Sequence, residues 1–498
     1  MIRFACLPIL ALAAWPAAAD VTPEQVWDHW QQLATSFDAT LAAQSVTRDG
    51  DTLVLQGVSL TTPSMANTPV APIAWIRLQD RGNGTVRVTA VPRHRMALTG
   101  QAGDGAPFAV TVDMAADALE TLVVGDAARL DHVITADRLQ LSLAMPPDDQ
   151  MRNARVDLGL DGAVFSFVSD LGGSFGASLA GDGGVAQAEI GFRGTAADGS
   201  VYALRAEHRP MRVTYGVAPV LPGDSLLPTA FAARIGVMAE RGALDLRATD
   251  PTGDALSVTG QTGGVRLDAS TEDGRIAYGW MAADLRSEIG VTGLRDPYVI
   301  ALAETSGNID IPIGALDRPD PFRLAFGWRN LDLGSAIWRR IDPEGALDHG
   351  PLTLALDLSG TMRWTSDIFG TPAAPTATDD LPFAVDELRV ATVEIAGGGA
   401  TITGSGDLTL DTAALADLGQ GGTSLQRPPV YGRVELAGQG IAGLLDALDA
   451  HGGAAALAAS ARSIIGLIAV PGRGDDTLVS EIEITPEGKA VANGTPLN

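Results

Sequence analysis

The chain has 498 residues, with 34 Lys and Arg against 60 Asp and Glu and a formal net charge of −26. Such a surface repels nucleic acid and anionic headgroups, which excludes functions driven by phosphate contacts. Hydrophobic residues make up 46% of the chain, too many for disorder, and 58 Gly and 29 Pro against 5% aromatics point to many short strands and turns.

The first residues read as an export signal. Arg3 supplies a positive start, Phe4 to Trp15 an apolar stretch, and Ala17-Ala18-Ala19 a cleavage site before Asp20. The stretch is short for a bilayer span, which needs about 20 residues. Later segments are broken by charges, Gly or Pro, so residues 1–19 are expected to be cleaved and the mature chain to be soluble. The one cysteine, Cys6, lies inside this signal, which leaves the mature chain without disulfides, Cys-bound metal or a thiol nucleophile. The composition resembles that of a high-GC Gram-negative bacterium, so the expected compartment is the periplasm.

Residues 21–37 predict a helix. Thr22-Pro23-Glu24-Gln25 is a capping box with proline at the first helical position. Trp27, Trp30, Leu33, Ala34 and Phe37 form one apolar stripe, and the opposite face lacks the Lys and Arg of an interfacial membrane helix. The helix is therefore expected to plug one end of a sheet.

From Ser45 the period falls to two. Runs at 52–60, 74–78, 85–91, 95–99, 108–114, 132–143, 155–160 and 164–168 are separated by turns such as Asp49-Gly50-Asp51, Gly82-Asn83-Gly84 and Asp161-Gly162. Further runs at 186–192, 201–207 and 212–217 complete an N-terminal β-rich half, 20–217. The Pro/Gly-rich stretch 218–228 opens a central segment, 218–370, with runs at 230–239, 243–248, 255–259, 265–269 and 275–283.

Within that segment, residues 322–360 carry an alternating run, a short amphipathic helix over 333–341 with Leu333, Ile337 and Trp338 on one side, and a second run of Leu352, Leu354, Leu356 and Leu358. Asp342-Pro343 stops the helix. A loop or linker at 371–382 precedes the C-terminal part, 383–498, with strands at 387–395, 400–403, 407–410 and 433–436, helices at 441–450 and 453–468, and strands at 477–485 and 490–492. The fold class expected is mainly β: a long, twisted antiparallel sheet that is rolled, sandwich-like or groove-forming, with a few plugging helices at the N-terminus, mid-chain and near the C-terminus.

Trp338, Asp342 and Pro343, the strand end Leu356, Leu358, Ser359 and Gly360, and the export signal together resemble an alphaproteobacterial family catalogued as domain of unknown function 2125. The order Gly404-Ser405-Gly406-Asp407-Leu408, then Gly440 to Leu448, then Asn493-Gly494 resembles it too, and more distantly the AsmA-like periplasmic β-rich proteins. The first resemblance implies an exported protein with no biochemistry to carry over. The second implies an elongated, curved sheet whose apolar inner face handles lipid. Those relatives usually keep an N-terminal membrane helix, whereas here the signal reads as cleavable.

No chemistry stands out. His29, His94, His132, His208, His349 and His451 show no metal-binding spacing, and surface or loop positions are expected for them. Gly404-Ser405-Gly406-Asp407 resembles a Gly-rich calcium turn, but its aspartate is one place early and nothing repeats it, and Asp250-Pro251-Thr252-Gly253-Asp254 and Asp379-Asp380 read as turns. Gly172-Gly173-Ser174-Phe175-Gly176 matches a nucleophile elbow, but no helix of useful length can follow it. Trp27, Trp30, Trp328 and Trp338 read as core or plug residues, and a phosphate-binding loop is missing. The sequence assigns no catalytic, cofactor-binding or metal residue and no cofactor, and the chain is not expected to be an enzyme.

What remains is the sheet. In 352–358 one face is all Leu, while Thr353, Ala355 and Asp357 hold the other. Over 138–143, Leu139, Leu141 and Leu143 alternate with Arg138, Gln140 and Ser142, and Ile134 is out of phase with them, which predicts a bulge or break between. About thirty strands at this spacing outnumber the helices available to cover them. The expectation is a periplasmic envelope β-scaffold that binds or conveys lipid or another apolar ligand, without an integral span. The alternatives are a structural or protein-binding module with its apolar face internal, or a hydrolase whose residues converge only in space.

Overall fold

A computed structural model describes residues 21–61, 71–101, 107–145, 147, 150–172, 177–219, 231–272, 274–313, 316–366, 383–410, 430–450 and 454–497. The chain is mainly β, in one large antiparallel sheet with four helices among the described residues.

Helix α1 (Pro23–Ser36) starts as the capping box requires: the Thr22 hydroxyl accepts from the Gln25 N–H, and the Gln25 side chain accepts from the Thr22 N–H. The sheet then builds almost strictly in sequence order. Strands β1 (Thr40–Ala42) and β2 (Ser45–Asp49) pair with β3 (Thr52–Thr61), which hands on to β4 (Ile73–Asp80) and β5 (Val86–Ala90). β6 (Arg93–Gln101) continues β5, while β7 (Pro107–Asp117) and β8 (Glu120–Gly125) return along β6 and β5 and meet β9 (Arg129–Met145). β10 (Met151–Asp170) follows, then the collinear β11 (Ser178–Val185) and β12 (Gln187–Ala196), then β13 (Val201–Pro219) and β14 (Phe231–Thr249). Collinear β15 (Ala255–Thr262) and β16 (Gly264–Glu272) lead to β17 (Arg275–Val291), β18 (Tyr298–Pro312) and β19 (Asp320–Leu333).

Helix α2 (Ser335–Ile341) links β19 to β20 (Leu352–Trp364), which pairs directly back onto β19. The predicted helix began at Leu333, which is instead the last residue of β19. β21 (Phe383–Gly397), β22 (Ala400–Leu410) and β23 (Val430–Gln439) continue the ladder. Helices α3 (Ile441–Ala450) and α4 (Ala455–Ile468) intervene before β24 (Val470–Pro471), β25 (Thr477–Ile484), β26 (Ala490–Ala492) and β27 (Thr495–Leu497). The last hairpin turns on Asn493 (φ 49°) and Gly494 (φ 79°), the positive-φ pair that a two-residue turn needs, and adds β27 beyond the final strand predicted at 490–492. The signal 1–19, most of 218–228 and the loop 371–382 lie outside the described residues; the strands flanking the last two, β13 and β14, and β20 and β21, pair with each other.

Packing concentrates at the ends. At the first end α1 buries Val26 and Trp27 against Leu53, Leu55, Leu78, Val86, Val123 and Leu130. At the other, Ile441 and Leu445 of α3 and Ala458 of α4 pack on Ala400. Phe322, Met362 and Trp364 form a smaller cluster, with the Trp364 indole donating to the Pro312 carbonyl at 2.8 Å. Between residues 201 and 311, Ala239 is the one apolar side chain fully buried among the described residues. Among the described residues, the middle of the sheet is therefore a single layer.

Candidate ligand trough

One line of positions crosses that layer. Asp161 pairs with Arg138 and Ala163 with Ala136, but Gly162 and Asp137 between them are unpaired. The ladder skips in the same way at Ala118, Ala186, Pro210, Glu240, Gly263, Asp284, Ala303 and Asn330 across β7 to β19, the line moving over by one residue between Glu240 and Gly263. Four of these residues are left-handed: Ala118 (φ 54°), Gly162 (φ 61°), Asp284 (φ 50°) and Asn330 (φ 54°). All ten are exposed.

The line inverts the alternation. On β14, Ile235, Val237 and Ala239 are the apolar set before it and Leu244, Leu246 and Ala248 the set after it, at opposite parity. Were the strand regular, these sets would lie on opposite faces. They do not: Ala136, Ala163 and Val185 from one side cluster with Ala188, Leu139 and Leu160 from the other. The expected break between Ile134 and Leu139 is this crease. Exposed residues on the line and buried alanines beside it mean that the sheet folds along the crease toward its apolar face, which makes a trough.

Charge is segregated by the same geometry. From β11 to β23 the strand positions facing the trough carry no Lys, Arg, Asp or Glu, except Asp320 at the first position of β19. The opposite face holds the ion pairs: Arg205 with Glu189 and Glu207, Arg247 with Asp245, Arg275 with Asp310, Arg323 with Asp357 and Arg363 with Asp386. On the trough side Ile190, Leu244, Tyr278, Leu324, Trp328 and Ile395 are each 36% exposed or more. Trp328, expected as core or plug, stands on this open wall, whereas Trp338 is buried.

Helix α1 closes the first end of the trough through two histidines expected at the surface. Both are buried, His29 at 0% and His132 at 1% exposure. His29 Nδ1 donates to the Ala127 carbonyl at 3.0 Å, and its Nε2 is hydrogen-bonded to the Ser169 hydroxyl at 2.8 Å. That pair is sealed from solvent and ties α1 to the sheet. His132 Nε2 accepts from the Trp30 indole at 3.0 Å, and its ring lies flat on Phe167, 4.2 Å away. Burial, with a smaller push from His29, takes the His132 imidazole down to about 4. Sequence spacing could not reveal these contacts, since Trp30 and His132 are 102 residues apart.

Near α2, the Asp342 carboxylate accepts from the Ala346 and Leu347 N–H groups and from His349 Nε2 at 2.8 Å. The Leu347 N–H leads in holding the carboxyl down at about 2, helped by His349. His349 stacks on Trp338 at 4.3 Å. The Trp-x-x-x-Asp-Pro element is thus a locked turn that carries the chain from α2 to β20.

Other candidates carry less. A depression of about 630 Å³ lies on the polar face over Gly159 and Gly191 between Arg138, Arg155, Arg193 and Arg205. Each of these guanidinium groups already faces a carboxylate. Asp250 accepts from the N–H groups of Thr252 and Asp254 as a turn does, and Gly404-Ser405-Gly406-Asp407 lies within β22. Ser174, Asp379, Asp380 and His451 lie outside the described residues. No group of metal-ligating side chains gathers among the described residues. No protein-family model and no curated protein matches the chain.

Proposed function

We propose that the chain is a periplasmic envelope protein without catalytic chemistry, whose folded sheet holds the acyl chains of lipid in its trough. The observation that carries this reading is the segregation of charge. An antiparallel sheet ordinarily has one face packed and one solvated, and large open apolar surfaces mark binding sites. Here the uncovered face is apolar for strand after strand, and the ion pairs stand on the other. At about 4.8 Å per strand the crease from β9 to β19 runs for about 40 Å. That exceeds one acyl chain, which spans half of a hydrocarbon core about 30 Å thick.

The export signal supports the compartment, and no helix among the described residues is long and apolar enough to cross a membrane. Native mass spectrometry of the protein from its own periplasm tests both points. Co-purifying phospholipid or fatty acid on a chain beginning at Asp20 is the expected result. A correctly processed chain that stays bare, and takes up no lipid from added vesicles, would overturn the lipid reading and favour a protein-binding scaffold.

A further inference from the structure

The row of trough residues nearest the crease on one wall runs Leu139, Leu160, Ala188, His208, Gly242, Thr262, Leu285 and Leu302. It is apolar except for two residues. The Thr262 hydroxyl is within reach of the Gly264 and Ala283 carbonyls, at 3.0 and 2.9 Å, and is satisfied within the sheet. His208 is different: its Nδ1 is buried and has no partner. The ring lies over Gly242, where a Cβ would come within 2.8 Å of it. Any larger residue at 242 would force the imidazole aside, so the glycine makes its place.

We propose that His208 is a polar anchor in the trough floor, recognising the carbonyl oxygen of an acyl group. The inference rests on the trough reading and adds to it the class of ligand: an acyl ester or a fatty acid, rather than a plain hydrocarbon. A neutral imidazole has one N–H donor and one acceptor nitrogen. With the buried, unpartnered Nδ1 as the acceptor nitrogen, Nε2–H is the donor that His208 has to offer. In a row whose other polar group, the Thr262 hydroxyl, is already satisfied, a carbonyl oxygen is the acceptor that an amphiphile brings in with its chain. The acyl tail then lies along Leu160, Leu204 and Leu246.

The test uses the full-length mature protein, wild type and the His208→Leu and His208→Gln variants, with folding checked by circular dichroism. Displacement of a nonpolar fluorescent dye is titrated with oleic acid, methyl oleate and 1-octadecene. The expected result is that His208→Leu weakens oleic acid and methyl oleate by about 5- to 10-fold, the scale of one buried hydrogen bond. It leaves octadecene unchanged, and His208→Gln, which keeps a donor, recovers most of the loss. A loss for oleic acid alone would assign the contact to a carboxylate, and a loss for both to the carbonyl that they share. Equal losses for all three ligands would make His208 a packing residue and overturn the proposal, as would no loss for any. If none of the three binds the wild type, the trough reading itself fails.

Discussion

Gly162 in β10 faces Asp137 in β9, and theirs is the missing rung of an otherwise continuous ladder from Arg129 opposite Asp170 to Met145 opposite Ala154. Gly162 is at φ 61°, and a Cβ there would sit 3.2 Å from Ala186. A β-branched residue cannot take that backbone without strain. Gly162→Val is therefore expected to destabilise the protein by about 1–3 kcal/mol, read as a lower urea midpoint at unchanged slope. Asp137→Ala, across the same rung at a residue without positive φ, should leave the midpoint unchanged.

This crease also marks where sequence reading went astray. Asp161-Gly162 reads as a two-residue hairpin turn, and 201–207 with 212–217, or 230–239 with 243–248, read as separate strands. In the structure β10, β13 and β14 each run straight through. A hairpin turn and the crease at Gly162 ask for the same residue, because both take positive φ there. Only the pairing register tells them apart, and register depends on strands far away in sequence. The phase slip between Ile134 and Leu139 was the legible trace. Caps, by contrast, are local: Thr22 with Gln25, and Asp342 with Pro343, placed the start of α1 and the end of α2. The trough's apolar wall was visible as alternation in Leu352 to Leu358, but its openness depends on what fails to cover it, which no local pattern records.

Leu246 and Arg247 are neighbours on opposite faces of β14, Leu246 toward the trough and Arg247 paired with Asp245. Leu246→Asp places a charge against apolar walls and is expected to reduce lipid retained through purification by tenfold or more. Its cost in stability should be about 1–3 kcal/mol, the scale of a partly buried polar group without a partner. Arg247→Ser removes one exposed ion pair and should change retention less than twofold. Lipid extracted per mole of folded protein is the measurement.

The turn after α2 depends on one carboxylate. Asp342 is ionised down to about 2 in the folded chain, below the ordinary value of 3.8. Its contribution is complete above that ordinary value and is lost as pH falls through about 2. Asp342→Ala leaves the Ala346 and Leu347 N–H groups and His349 without their acceptor. A thermal midpoint lowered by several degrees at pH 7 is expected, with no matching drop for Asp348→Ala, whose carboxylate accepts only from the nearby Gly350 N–H.

His132 works in the opposite sense, since burial holds it neutral down to about 4 against an ordinary 6.5. Below pH 6.5 the unfolded chain takes up a proton there that the folded chain refuses. Stability therefore falls between those two values as the solution is acidified. A shift of this size corresponds to about 3 kcal/mol at its full extent. The site sits under α1, so the plug at that end of the trough is the first element expected to loosen. Urea unfolding at pH 7 and pH 4.5, followed by the fluorescence of Trp27 and Trp30, should show the loss in the wild type. In His132→Gln, which cannot titrate and can still accept from the Trp30 indole, the same acidification should cost markedly less. An equal fall in both proteins would place the acid sensitivity elsewhere in the chain.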